Sequence, residues 1–176
     1  MSDFISQFDE ALYTYLNNNA DNMPSRFIKF LAYYYPDARI RKIYLNKLGV
    51  VIGENSYTNL GFQCVLMDNG ISAVIGNNVS IAPNVVLICN SSANNGDELV
   101  KLAYVRDNLI KSGQIIIEDD AWICANVTIF PGVKVGKCTI IGAGSVLLED
   151  ATPYSIYAGS PAKRIRDLNT GDRVKG

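Results

Sequence analysis

Six aliphatic residues, Ile117, Ile123, Ile129, Val135, Ile141 and Leu147, recur at every sixth position of IIIEDDAWICANVTIFPGVKVGKCTIIGAGSVLLED. A helix repeats every 3.6 residues and a simple strand every two, so neither element explains a period of six. The same spacing occurs earlier, at Ile75, Ile81 and Leu87. Two residues before the aliphatic stands a small or β-branched residue: Val79, Val85, Ala121, Val127, Val133, Thr139 or Ser145. Three residues after it comes a turn former: Asn78, Asn84, Asn90, Asp120, Asn126, Gly132, then Cys138 and Gly144. Asn, Asp and Gly are the residues that tolerate positive φ.

The pattern describes short strands joined by tight corners. Within each strand the small residue and the large aliphatic point inward, and the residues between them point outward. Three strands close a triangular coil of eighteen residues, and stacked coils bury one continuous core. Ile75, Ile117 and Val135 then form one column, Ile81, Ile123 and Ile141 a second, and Leu87, Ile129 and Leu147 a third. An earlier coil fits at Ile52, Thr58 and Cys64. The expected fold class is an all-β solenoid. Between Asn90 and Gln114 the period breaks, and the inserted NSSANNGDELVKLAYVRDNLIKSGQ is long enough for a functional loop.

The flanks read differently. In SDFISQFDEALYTYL a stripe of Phe4, Ile5, Phe8, Leu12 and Leu16 predicts an amphipathic helix with Ser2 or Asp3 as N-cap. Pro24 opens a second helix that stops before Pro36, and ARIRKIYLNKLG is a third, closed by Gly49. The expected organisation is 1–49 helical, 50–152 solenoid with its insertion at 90–114, and 153–176 a short C-terminal tail or helix.

Sixteen Lys and Arg against 17 Asp and Glu leave a net charge of −1, which gives no support to nucleic-acid or membrane-surface binding. The N-terminus has acids and no uninterrupted apolar run of the signal-peptide kind, so a cytoplasmic protein is expected. Its four cysteines form no CxxC pair and histidine is absent, so no metal site is expected and the thiols read as buried and reduced.

The repeats IGNNVSIAPNVVLI and IEDDAWICANVTIFPGVKVGKCTIIGAGSV, followed by YAGSPAKRIR, resemble the hexapeptide-repeat acyltransferases. Within them the resemblance is greatest to the maltose/galactoside and xenobiotic O-acetyltransferase branch, and it runs from about residue 50 to residue 166. It implies a left-handed parallel β-helix and a homotrimer, with acetyl-CoA lying in a groove between neighbouring subunits. The implied reaction is direct acetyl transfer to a hydroxyl or amine of a sugar or amino-sugar acceptor.

Direct transfer needs a base for the acceptor proton and a donor for the developing oxyanion. The family places a histidine on the inserted loop, and laying IAPNVVLICNSS onto its motif puts Ser92 there. Three explanations are open. An amine acceptor attacks as its neutral fraction; an acid of the loop (Asp97, Glu98 or Asp107) serves as base; or the chain is a silent CoA-binding or scaffold β-helix. Ser92 and Asn94 are the catalytic-position candidates. Trp122 falls between inward Ala121 and Ile123 and must face outward, which calls for a subunit or ligand contact. By resemblance, Trp122, Ala125 and Ala143 line the CoA thioester arm, while Lys163 and Arg166 meet the nucleotide phosphates. Asp68 resembles an acceptor-binding acid, and Asn90, Tyr104 and Arg106 complete the expected acceptor contacts.

Overall fold

The computed structural model describes residues 2–93 and 95–174. Three helices precede the strands: α1 (Ser2–Asn18), α2 (Ser25–Tyr34) and α3 (Ala38–Lys47). Pro24 caps α2, and Tyr35 turns extended ahead of Pro36. The Asp37 side chain accepts from the Arg39 amide to cap α3, and Gly49 follows it at φ +80°. That conformation releases the chain into the first strand.

From Val50 the chain visits three parallel sheets in rotation. The first face stacks Val50–Ile52, Ala73–Ile75, Ile115–Ile117 and Lys134–Val135. The second stacks Tyr57–Thr58, Ser80–Ile81, Trp122–Ile123 and Ile140–Ile141. The third stacks Gln63–Val65, Val86–Ile88, Thr128–Ile129 and Val146–Leu147. Register pairs Ile52 with Ile75, Ile75 with Ile117, and Ile117 with Val135. Thr58, Ile81, Ile123 and Ile141 form the second column, and Cys64, Leu87, Ile129 and Leu147 the third. All of these are buried, as are the small residues two positions before the aliphatics. The six-residue period therefore maps directly onto the columns.

The corners follow their chemistry. Asn55, Asn78, Asn84, Asp120, Asn126 and Cys138 all take positive φ, with Gly132 and Gly144 at equivalent places. Corner amides also bond along the stack, Asn55 to Asn78 and Asn84 to Asn126, each at 3.2 Å. Asn90 is an exception to the expected set. It begins a two-residue antiparallel pair, Asn90–Ser91 with Lys111–Ser112, because the insertion returns alongside itself instead of turning the corner.

At the start of the stack the strand edges lack a preceding turn, and the helices supply partners for them. The Asn46 side chain accepts from the Ile52 amide at 3.1 Å, and Lys42 donates to the Gly53 carbonyl on the first face. Arg41, 3% exposed, donates to the Thr58 carbonyl on the second and to those of Tyr35 and Pro36. The Tyr33 hydroxyl donates to the Cys64 carbonyl on the third at 3.1 Å. One strand edge on each face is thus closed by a side chain.

At the far end the tail is not helical. Ser155–Gly159 pairs parallel to Ile140–Ile141 and antiparallel to Ala162–Asp167, so the second sheet ends in a hairpin. Alternation in AKRIRD suits an edge strand better than a helix. The α1 stripe also departs from expectation. Leu16 is buried and Leu12 half-buried, but Phe4, Ile5 and Phe8 are 74, 62 and 62% exposed.

Candidate functional site

Two surface regions hold the candidate residues, and they lie on different sides of the stack. The first is the edge between the third and first faces. There Asp68 follows the Gln63–Val65 strand, in a connection tied by the Ser72 hydroxyl accepting from the Met67 amide at 2.9 Å. One turn later the insertion leaves after Val86–Ile88 and is pinched shut at its root. Gly113 donates its amide to the Cys89 carbonyl at 2.9 Å, and the Gln114 amide group donates to the Ile71 carbonyl, also at 2.9 Å. This closure sets Asn90 beside Asp68, with Nδ2 3.4 Å from Oδ1.

Ser92 sits just past that pair, exposed at the start of the lobe. Asn94 lies outside the described residues. The lobe has a short helical turn at Leu99–Lys101 and another at Val105–Leu109, with Val105 buried as its anchor. Its acids have partners: Glu98 and Asp97 lie 3.1 and 3.9 Å from Lys101, and Asp107 lies 3.0 Å from Arg106. Tyr104 caps the second turn and is 69% exposed. Of the four expected acceptor contacts, the structure brings Asp68 and Asn90 together and carries Tyr104 and Arg106 on the lobe.

Below the root, on the same edge, Ser91, Leu109, Lys111, Phe130, Pro131 and Leu148 enclose a cleft of about 240 Å³. Sequence reasoning missed this cleft. Phe130 and Leu148 each follow an inward aliphatic of the third column, so their outward position was available from the period; the return strand bringing Lys111 was not.

The second region is the outer surface of the second face. In register, Tyr57 opposes Ser80, which opposes Trp122, which opposes Ile140. Small Ser80 between two aromatics leaves a notch of about 330 Å³, and Trp122 is 53% exposed at its side. Ala125 and Ala143 lie at the corner after this face, one turn apart, and the Gly144 amide donates to the Ala125 carbonyl at 2.9 Å. Neither alanine is buried, so the backbone is accessible to a ligand running along the stack. Lys163 and Arg166 are on the outer hairpin strand: Lys163 lies 3.8 Å from Glu149, and Arg166 donates to the Gly171 carbonyl. Both contacts are exposed or partly exposed and inexpensive to exchange for phosphate oxygens. This side of the stack therefore presents small residues along the corner and cations on the outer hairpin strand.

Residues 114–149 match the family model described as bacterial transferase hexapeptide (six repeats). The repeats of this segment are hexapeptide repeats of that family. Galactoside O-acetyltransferase of Escherichia coli (strain K12) is 35% identical over 127 residues, covering 69% of this chain and 56% of that protein. A solved galactoside acetyltransferase in complex with coenzyme A superposes with a TM-score of 0.58 at 34% identity, over 73% of this chain and 64% of that one. The hexapeptide-repeat acetyltransferase VCA0836 from Vibrio cholerae shares the fold more completely, with a TM-score of 0.62 at 24% identity over 88 and 92% of the two chains. This hexapeptide chain spans little more than half the length of the curated relatives it matches, 56, 53 and 58% of the first three. Among its described residues no group of acids and thiols is arranged to hold a metal ion, and no helix is long and apolar enough to cross a membrane.

Proposed function

We propose that this chain is an acetyl-CoA-dependent acetyltransferase whose acceptor is an amine on a sugar or sugar-like molecule. Its stack is read as a left-handed parallel β-helix, the winding that the resemblance to the hexapeptide-repeat acyltransferases implies. The carrying observation is the Asp68–Asn90 contact at the root of the insertion, beside Ser92, in a chain with no histidine. A hydroxyl must lose its proton as it attacks, which calls for a base in place. A neutral amine attacks the thioester carbonyl with its own lone pair. The C–N bond forms, the C–S bond breaks as the tetrahedral intermediate expels CoA thiolate, and the proton given up by the nitrogen goes to that thiolate, so CoA leaves as the thiol. Asp68 suits such an acceptor, because a carboxylate accepts from N–H and O–H groups alike while Asn90 offers both a donor and an acceptor. The loop acids are engaged with Lys101 and Arg106, which leaves Asp68 as the carboxylate in position.

Trp122, Ala125 and Ala143 belong to the second region and Asp68 and Asn90 to the first, so one chain does not complete the site. The proposed homotrimer supplies the junction by laying the notch of one subunit against the edge of the next. The relative that is a galactoside acetyltransferase supports the acyl donor and a sugar-like acceptor.

The test is thiol release from acetyl-CoA with amino sugars and with the corresponding neutral sugars as acceptors. Turnover of the amino sugars alone, lost in Asp68→Asn, is the expected result. Turnover of neutral sugars alone would replace the amine reading with hydroxyl transfer. Binding of acetyl-CoA with no turnover on either class would leave a CoA-binding scaffold.

A further inference from the structure

The apolar surface left bare on the helices has a defined shape and charge. Phe4, Ile5 and Phe8 occupy the first half of α1, and all are more than half exposed. The second half of α1 and the side of α2 enclose a groove of about 310 Å³, lined by Leu12, Tyr15, Met23, Phe27, Phe30 and Leu31 among others. Within that lining Phe27 and Phe30 are 59 and 55% exposed, and the Tyr34 ring, 63% exposed, lies 6.2 Å from that of Phe30. A ridge of aromatics and an apolar groove therefore lie side by side on one molecule. Neither is covered by the stack.

Charge separates the two halves. α1 carries Asp9 and Glu10 and has neither Lys nor Arg, whereas α2 carries Arg26 and Lys29 and has no acid. Asp9 lies four residues beyond Ile5, beside the ridge, and Arg26 lies four residues before Phe30, beside the rim. A two-fold axis that seats the ridge of each copy in the groove of the other brings acid to base twice. We propose that this face joins two copies of the chain, each α1 ridge filling the α1–α2 groove of its partner. A lipid surface fits less well, because anionic headgroups would be repelled by the acids of the helix bearing the ridge. The interface uses the helices alone, so it is independent of the acetyl-transfer reading and of any contact made by the strand faces.

Charge reversal tests this directly in the full chain. The mass of wild type is measured by sedimentation at about 1–50 μM beside Arg26→Glu, Asp9→Arg and the double variant carrying both. The expected result is a mass that halves in each single variant at a concentration where wild type is associated, and that is restored when both charges are exchanged. Phe8→Ser, at an exposed position that leaves the core untouched, should halve the mass and keep the thermal midpoint. A wild-type mass equal to that of all variants would overturn the proposal. So would halving in the single variants without recovery in the double, or binding of wild type to neutral and anionic vesicles that Phe8→Ser abolishes while mass is unchanged.

Discussion

Thr58 is the residue at which the regular pattern departs most from apolar packing. It takes the place that Ile81, Ile123 and Ile141 occupy in later turns, 2% exposed, and its hydroxyl oxygen has no partner among the described residues. A buried polar atom without a hydrogen bond costs about 1–3 kcal/mol, and the neighbouring Arg41 reaches carbonyls through its two terminal nitrogens while its Nε has no partner among the described residues. Thr58→Val should therefore raise stability by about 1 kcal/mol in urea denaturation, because the backbone carbonyl that Arg41 needs is retained. A loss would show that the hydroxyl has a role that the carbonyl does not cover. Tyr33 makes a second local prediction. Burial, then the nearby Cys64 thiol, pushes its hydroxyl up to about 12, so the folded chain keeps a proton that the unfolded chain loses near 10. Its contribution is complete below pH 10 and is lost as pH rises from about 10 to 12. Tyr33→Phe should be less stable at pH 8 by about 1 kcal/mol and should lose less stability than wild type between pH 9 and 11.5, as read from thermal midpoints.

At the scale of elements, the strands were legible because each inward position is aliphatic or small without interruption from Ala121 to Leu147, and a single phase accommodates all of them. Asn90 fits the same phase by composition, yet its neighbours answer to the return strand at Lys111–Ser112, a pairing between positions some twenty residues apart with no periodic mark in the sequence. For the same reason Asp68 and Asn90 could be named singly but not as a pair. The tail was ambiguous because Lys163, Arg164 and Arg166 suit either a helix or an edge strand until the turn at Gly159–Ala162 is known. Where turns stack, contact is set by the smallest side chains. A methyl group added at Gly136 would stand 2.5 Å from the Pro153 nitrogen in the connection above it. Gly136→Ala should thus cost roughly 1–3 kcal/mol and lower the denaturation midpoint. An unchanged midpoint would mean that the last turn shifts freely.

For the molecule as a whole, the sequence showed which residues face outward but not which outward surfaces meet. Trp122 illustrates the gap: its phase between Ala121 and Ile123 placed it outside, and the structure adds the notch made by Ser80 and Tyr57. Under the proposed trimer, Trp122→Ala should weaken acetyl-CoA binding by about tenfold or reduce the assembled mass, since a large aromatic in a ligand or subunit contact carries about 1.4 kcal/mol or more. Titration and sedimentation would read these separately, and no change in either would remove the notch from both roles. The bare α1 ridge was likewise visible as a stripe, while its lack of a cover was not. Amphipathicity reports a face, not its occupant.

The side chains that meet the first turn have a consequence for growth. Parallel turns in register present the same donors and acceptors that propagate cross-β fibrils, and an open terminal turn is a template for another chain. Arg41, Lys42 and Tyr33 occupy one carbonyl on each of the three faces at that terminus. The helices thereby act as a plug against end-to-end polymerisation, and a chain built from an extensible repeat is kept to a finite particle.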